Sequence, residues 1–145
     1  MLAAAIALAA PAHAADWRLT AARQTRFGSS LSFLDVQSIR GGNGQVQFST
    51  LTFFSRSTRR MNRVAAAVTA DCRMMVYRFD QITLFRNQQP LSIWHSAGSA
   101  SAAPGSNLHD SISAACGISE PGAHVDRIEA FAAGYFRQRA WRRNA

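Results

Sequence analysis

Lysine is missing from this chain of 145 residues: all 16 of its strongly basic side chains are arginine. Acidic residues number only 8, which leaves a formal net charge of +8. Arginine in place of lysine throughout is the codon usage of a GC-rich genome. Its physical consequence is a surface suited to anionic partners, because guanidinium binds phosphate and carboxylate bidentately. Carboxylates are scattered, with Glu120 and Glu129 both late in the chain, so no acid–base pair stands out. His95, His109 and His124 show no i, i+4 spacing and no neighbouring cysteine or glutamate set, which argues against a metal centre. No serine stands in a G-x-S-x-G setting and there is no C-x-x-C, so neither a nucleophile elbow nor a thiol redox motif is present. No cofactor is expected. Long apolar runs are also missing: none approaches the roughly 20 residues that span a bilayer.

The chain does open on a short apolar run, residues 1–10, followed by Pro11-Ala12-His13-Ala14. That small-x-small ending makes residues 1–14 read as a secretory signal peptide. No base precedes the run; either the initiator amine supplies the charge or the true start lies upstream. No cysteine follows the signal region, so the usual bacterial lipid-anchor site is not there. Export to the periplasm, the cell envelope or the medium makes the 2 cysteines informative. In an oxidising compartment they imply one disulfide, Cys72–Cys116, which stabilises the fold by about 4 kcal/mol on the chain-entropy model. Asp71 beside Cys72 disfavours a thiolate, so a redox role is not read here. An exported protein meets lipid headgroups, lipopolysaccharide or acidic glycans rather than nucleic acid.

Residues 68–76 organise the rest. At period two, Val68, Ala70, Cys72, Met74 and Val76 share an apolar face, and Thr69, Asp71, Arg73 and Met75 share the other, as in a strand. The apolar pattern over 64–85 is too long for one strand. It is expected to break into a hairpin near 72–74 or to bend at Asp80. Residues 16–23 read as a first strand carrying Trp17 and Leu19, 25–29 as a turn, and 31–36 as a second strand with Leu31 and Phe33 on one face. The glycine cluster at 40–44 reads as a tight reversal. A phosphate-cradling role would need a following helix, and the β-prone run 45–54 follows instead. That run carries Val46 and Phe48 on one face, while Phe53-Phe54 breaks alternation and points to burial on both sides or a bulge. Residues 87–90 form a turn before a last strand, 91–94. Residues 55–63 read as a loop in which Arg56, Arg59, Arg60 and Arg63 cluster, a candidate anion- or partner-binding site on a rigid sheet. Residues 98–105 read as a loose connector.

A helix is expected over 107–116, with Ser106 as N-cap and Gly117 at C′. Leu108, Ile112, Ala115 and Cys116 form its apolar stripe. Both cysteines then lie on apolar sides, and their bond staples helix to sheet. After Glu120-Pro121-Gly122 breaks the chain, residues 125–138 read as an amphipathic helix with Val125, Ile128, Phe131, Ala132, Tyr135 and Phe136 in one arc. Gly134 costs it about 1 kcal/mol, so it is marginal alone and needs a surface. The candidates are its own sheet, a second copy, or an anionic membrane. Residues 125–145 carry five arginines against Asp126 and Glu129, net +3, and end in Trp141-Arg142-Arg143, which suits the lipid interface. Ile128, Phe131, Tyr135, Phe136, Arg137 and Trp141 are therefore the candidate docking or membrane-contact residues.

The order of landmarks resembles the bacterial surface-adhesin E-like family. Those landmarks are Trp17-Arg18-Leu19, Phe33-Leu34-Asp35-Val36-Gln37-Ser38-Ile39, the glycine turn and aromatic strand from Gly41 to Phe48, Asp71-Cys72, Trp94, Pro104-Gly105-Ser106 and Cys116-Gly117. The resemblance covers about residues 16–117. It implies a curved antiparallel sheet of about six strands with a C-terminal helix disulfide-tethered to one face, an α+β fold that agrees with the pattern read from the residues. The amphipathic tail helix is extra. The expected organisation is a signal peptide at 1–14, the stapled domain at 15–117 and a basic tail at 118–145. The family's namesake is a lipid-anchored adhesin that binds host matrix proteins. The expected function is a non-catalytic envelope or secreted binding module for an anionic lipid or glycan, or for a host matrix protein. The alternative is a small periplasmic enzyme with its site in the sheet's concavity.

Overall fold

The computed structural model describes residues 14–26, 28–58, 61–95 and 98–144. All of the expected signal segment but Ala14 lies outside them, as do Arg59 and Arg60. Six strands follow one another as an antiparallel meander: β1 (Trp17–Thr25), β2 (Gly28–Gly42), β3 (Gln45–Thr58), β4 (Met61–Asp71), β5 (Val76–Arg86) and β6 (Gln89–Trp94). A short β7 (Ala100–Ser101) pairs with the start of β5. Two helices follow, α1 (Asn107–Ala115) and α2 (Ile128–Asn144). The fold is α+β with an open antiparallel sheet. Every ladder from β1–β2 to β5–β6 carries a register shift, and such shifts bend and twist a sheet.

Neighbouring side chains on a strand point to opposite faces, and here both faces are buried. Leu34, Phe48, Ala66, Val68 and Ala70 form one core with Ile112, Ala114 and Ala115 of α1. Leu31, Phe33, Leu51 and Phe53 form the other with Ile128 and Ala132 of α2. The sheet is thus the middle of three layers. Phe53 belongs to the α2 core, and the β3–β4 register shifts directly after it, the irregularity expected at Phe53-Phe54.

The organising stretch does not stay extended to residue 76. β4 stops at Asp71, and residues 72–75 form a turn into β5, the hairpin alternative. Asp71 is the cause. Its carboxylate accepts from the backbone N–H of Arg73 (2.9 Å) and Met74 (2.8 Å), and its carbonyl accepts from Met75 N–H. A side chain that binds its own backbone takes that backbone out of the ladder. Cys72 therefore sits in the turn and not on a strand, and Met74, expected inward, is 67% exposed. Asp80 also plays a part, as the extra residue opposite the Ala67/Val68 step.

The Cys72–Cys116 disulfide is present, with the two Cα atoms 5.7 Å apart. It ties the 72–75 turn to the C-cap of α1. Ser106 caps the other end, its hydroxyl accepting from His109 N–H at 3.1 Å. Gly117 N–H reaches Ala114 O and Ile118 N–H reaches Ser113 O, the two bonds of a Schellman C-terminus. The connector expected at 98–105 is partly ordered: β7 pairs with β5, Ala102 N–H donates to Met75 O, and the small Ala102 side chain is buried beside α1.

Candidate functional site: a cleft under the second helix

The segment read as an arginine loop is mostly strand. β3 runs to Thr58 and β4 starts at Met61. Arg56 remains exposed on β3, while Arg63 turns inward. The register sets Arg63 directly opposite Phe53 on β3 and Phe85 on β5. Its guanidinium lies over both rings, 5.4 and 5.0 Å from their centroids, a cation–π arrangement on two sides. The side chain is only 18% exposed and its Nη1 reaches Glu129 Oε1 of α2 at 3.4 Å. Its Nε is buried and has no hydrogen-bond partner. Arg63 is therefore no member of a solvated anion loop, and the structure does not join it to Arg56.

Around this arginine a cleft of about 260 Å³ opens between α2 and the ends of β3, β4 and β5. Phe53, Phe54, Ala132, Ala133 and Phe136 supply its apolar walls. Arg63 and Glu129 supply charge, and Asn62, Asn87 and Gln88 supply amides. Asn62 and Asn87 hold each other: the Asn62 Nδ2 donates to Asn87 Oδ1 at 3.0 Å, and Asn87 N–H donates to Asn62 Oδ1 at 2.8 Å. That exchange fixes the rim.

The tail helix lies on the protein's own sheet. Ile128 and Ala132 are buried, and Val125, Tyr135 and Phe136 pack against the same core. Residues 128–136 therefore form one of the two outer layers on the sheet. Phe131, expected in the buried arc, makes an edge contact with Phe33 at 6.0 Å yet stays 41% exposed. The helix begins at Ile128 and not at 125 because Val125 N–H is taken by Trp17 O, which holds that residue extended. It continues to Asn144, past 138, where arginines at a helix C-terminus meet the negative end of the macrodipole. Trp141 is 76% exposed and lines a shallow groove with Arg137, Gln138 and Arg142.

The segment leading into α2 runs along the free edge of β1. Gly122 N–H donates to Leu19 O, and His124 bridges Arg18. A Cβ at Gly122 would come within 2.8 Å of the Leu19 oxygen, so glycine is required there. His124 sits between two carboxylates, Nδ1 at 2.6 Å from Asp16 and Nε2 at 2.6 Å from Asp126. Asp16 and then Asp126 raise its pKa above the ordinary value. The Asp16 carboxyl is lowered, first by Arg18 and then by His124. The sequence gives one hint of this cluster, the His-Val-Asp spacing at 124–126; Asp16 is too distant along the chain to be paired with it by pattern. Glu129 has a hint as well, being an acid in the first turn of a basic helix.

Neither His95 nor His109 lines the cleft. His95 Nδ1 lies 2.7 Å from the Asp80 carbonyl, and His109 lies 3.9 Å from Asp110. Among the described residues no group of three or more His, Cys, Asp or Glu converges as a metal site, and no helix is long and apolar enough to cross a membrane. In comparisons with known proteins, no family model, curated protein or solved structure matches the chain.

Proposed function

We propose that this protein is an exported, non-catalytic binding module of the surface-adhesin E-like kind that attaches to anionic lipid at the cell envelope through the outward face of α2. The observation that carries the reading is the division of α2 into two surfaces. Its apolar stripe is buried on the sheet, whereas its second half exposes Trp141 beside Arg137 and Arg142 with no acidic residue from 130 to 145. An exposed tryptophan among arginines suits the headgroup region, where the ring sits at the interface and each cation near the surface adds attraction. The disulfide is compatible with export. The net charge of +8 favours a negative partner over long range. The cysteine positions and the order of landmarks support kinship with the adhesin E-like domains.

Flotation of the oxidised protein with phosphatidylglycerol and with phosphatidylcholine vesicles tests this. Attachment is expected to the anionic vesicles only and to fall as salt rises. The double variant Arg137→Gln/Arg142→Gln and the single variant Trp141→Ala should each lose most of it while melting within about 0.5 kcal/mol of the parent, as exposed substitutions do. Flotation that is the same in parent and variants, or absent with anionic lipid, overturns the lipid assignment. Retention on a heparin-like polymer without flotation transfers the partner to an acidic glycan.

A further inference from the structure

We propose that the cleft under α2 binds a small single-ring aromatic carboxylate, whose acid group takes the place of Glu129 on Arg63. This site is separate from the outward face of α2 and stands or falls independently of membrane attachment. The argument starts from Arg63. Its guanidinium lies over the Phe53 and Phe85 rings, so its N–H groups are what it has left for hydrogen bonding. Those groups are poorly served: the contact to Glu129 is long, at 3.4 Å, and Nε has no partner. Arginine's donors form a fixed fork that matches a carboxylate through two parallel bonds at ~2.7–2.9 Å. Glu129, tethered to α2 and 49% exposed, holds only one prong. Nε is closed off by the packing around it, so a free carboxylate inside the cleft can take the Nη1–H together with an Nη2–H. Glu129 then turns to water at little cost, because it is already half solvated.

The remainder of the cleft selects the body of the ligand. Phe53, Phe54, Phe136 and the two alanines offer flat apolar walls, where a ring stacks edge-on or offset. The volume, about 260 Å³, lies just under the ~300 Å³ at which drug-sized pockets begin, so one ring with a short acid arm is the right size. Ala133 stands at the mouth, exposed on α2 yet lining the cleft. Gln88 supplies a further amide at the rim.

The test uses the full oxidised chain and phenylacetate, with phenylacetamide and phenethylamine as neutral and cationic counterparts of the same shape. Titrations followed by ¹H–¹⁵N NMR read both the backbone amides and the Arg63 Nε–H. Phenylacetate is expected to bind with roughly millimolar Kd, which is what about ten non-hydrogen atoms achieve. It should move the Arg63 Nε–H signal together with the amides of Ala132 and Ala133. The amide should bind about tenfold or more weaker, since it lacks the charge-assisted bonds, and the amine should not bind. Arg63 is itself part of the packing, so the decisive substitutions lie elsewhere. Glu129→Gln removes the competing carboxylate and should tighten phenylacetate by up to about fivefold, the range of a half-exposed ion pair. Ala133→Phe closes the mouth and should abolish binding with an unchanged circular dichroism spectrum. Equal binding of acid and amide, perturbations remote from Arg63, or weaker acid binding in Glu129→Gln each overturns the proposal.

Discussion

The sheet carries a helix on each face, and the two are held by opposite means. α1 is tied on by a covalent bond at its C-cap, a Schellman turn, an N-capping serine and a row of polar contacts to β1 and β2. Those contacts include Thr20 with Ser111 at 2.9 Å, Asn107 Nδ2 to Ser30 Oγ at 3.0 Å, and Arg23 with Asp110. α2 has no covalent tie. It rests on an apolar stripe, one long ion pair to Arg63, an Arg139–Gln24 contact and the His124 segment along β1. Fixing a helix at both ends suppresses its motion. Fixing one by a stripe and a few exposed polar contacts leaves it the first element to yield. The cleft and the basic aromatic groove both lie at α2, so the adjustable face carries the surfaces suited to binding and the stapled face carries the stability.

The largest way to break that contrast is to cut the staple. Cys72→Ser/Cys116→Ser, or reduction, opens a loop with a sequence separation of 44. The expected loss is about 4 kcal/mol, a fall in Tm on the order of 15 °C for a domain of this size. Differential scanning calorimetry of oxidised and reduced protein measures it. The α1 face should then lose amide protection first. A reduced protein that melts with the oxidised one, with protection still weakest at α2, would show that packing and not the bond distinguishes the faces.

The difference between the faces also explains what could be read in advance. Local patterns revealed the parts of α1: serine before an apolar stripe, glycine after it, and a cysteine on the same side as its partner's run. Each lies within a few residues of the feature it controls. The turn at 72–75 was legible only as one of two alternatives, from the excessive length of the run; its cause was not, because period two continues through Cys72 and Met74, while a carboxylate bonding forward to its own backbone leaves no periodic trace. The apolar arc of the tail was legible at Ile128, Tyr135 and Phe136, yet nothing in the arc selects sheet over membrane. Arg63 was the least legible. No aromatic stands near it in sequence between Met61 and Ala67, and only the register of three strands brings Phe53 and Phe85 alongside it. Cross-strand partners need a known pairing, and a shift of one residue would turn Arg63 to the other face.

A smaller break sharpens the α2 side. Ile128 is buried where the helix begins, against Leu31 and Phe33. Ile128→Ala removes those contacts and leaves a cavity, so the expected cost is about 2–3 kcal/mol, the lower part of the range for such truncations. Because α2 is independently attached, the loss should appear locally. Amides of α2 should exchange faster by hydrogen–deuterium mass spectrometry while those of α1 and β2 keep their protection. Uniform loss of protection across both faces would mean that the two helices unfold as one cooperative unit.

The smallest effect tests the segment that leads into α2. His124 is charged when it holds both Asp16 and Asp126, and its pKa is raised above the ordinary 6.5. A raised pKa means the folded state binds the proton more tightly than the unfolded state. Its contribution is therefore fully present below pH 6.5 and is lost as pH rises through the raised value. Asp16 works in the other direction. Its pKa is depressed from 3.8, chiefly by Arg18 and next by His124, so its contribution is present above that value and is lost as pH falls through the lowered one. The attachment of residues 122–126 to β1 should be firmest between the two ordinary values and loosen toward alkaline pH. All of these groups are solvent-exposed, so the effect is modest and screened by salt. Measured at low ionic strength, exchange of the Val125 amide, which is bonded to Trp17 O, should quicken once intrinsic pH dependence is removed as the buffer passes from mildly acidic to alkaline. His124→Gln should flatten that dependence and leave exchange in α1 unchanged. A Val125 amide whose corrected protection ignores both pH and the substitution would mean that the backbone bonds alone hold the edge, with the histidine a bystander.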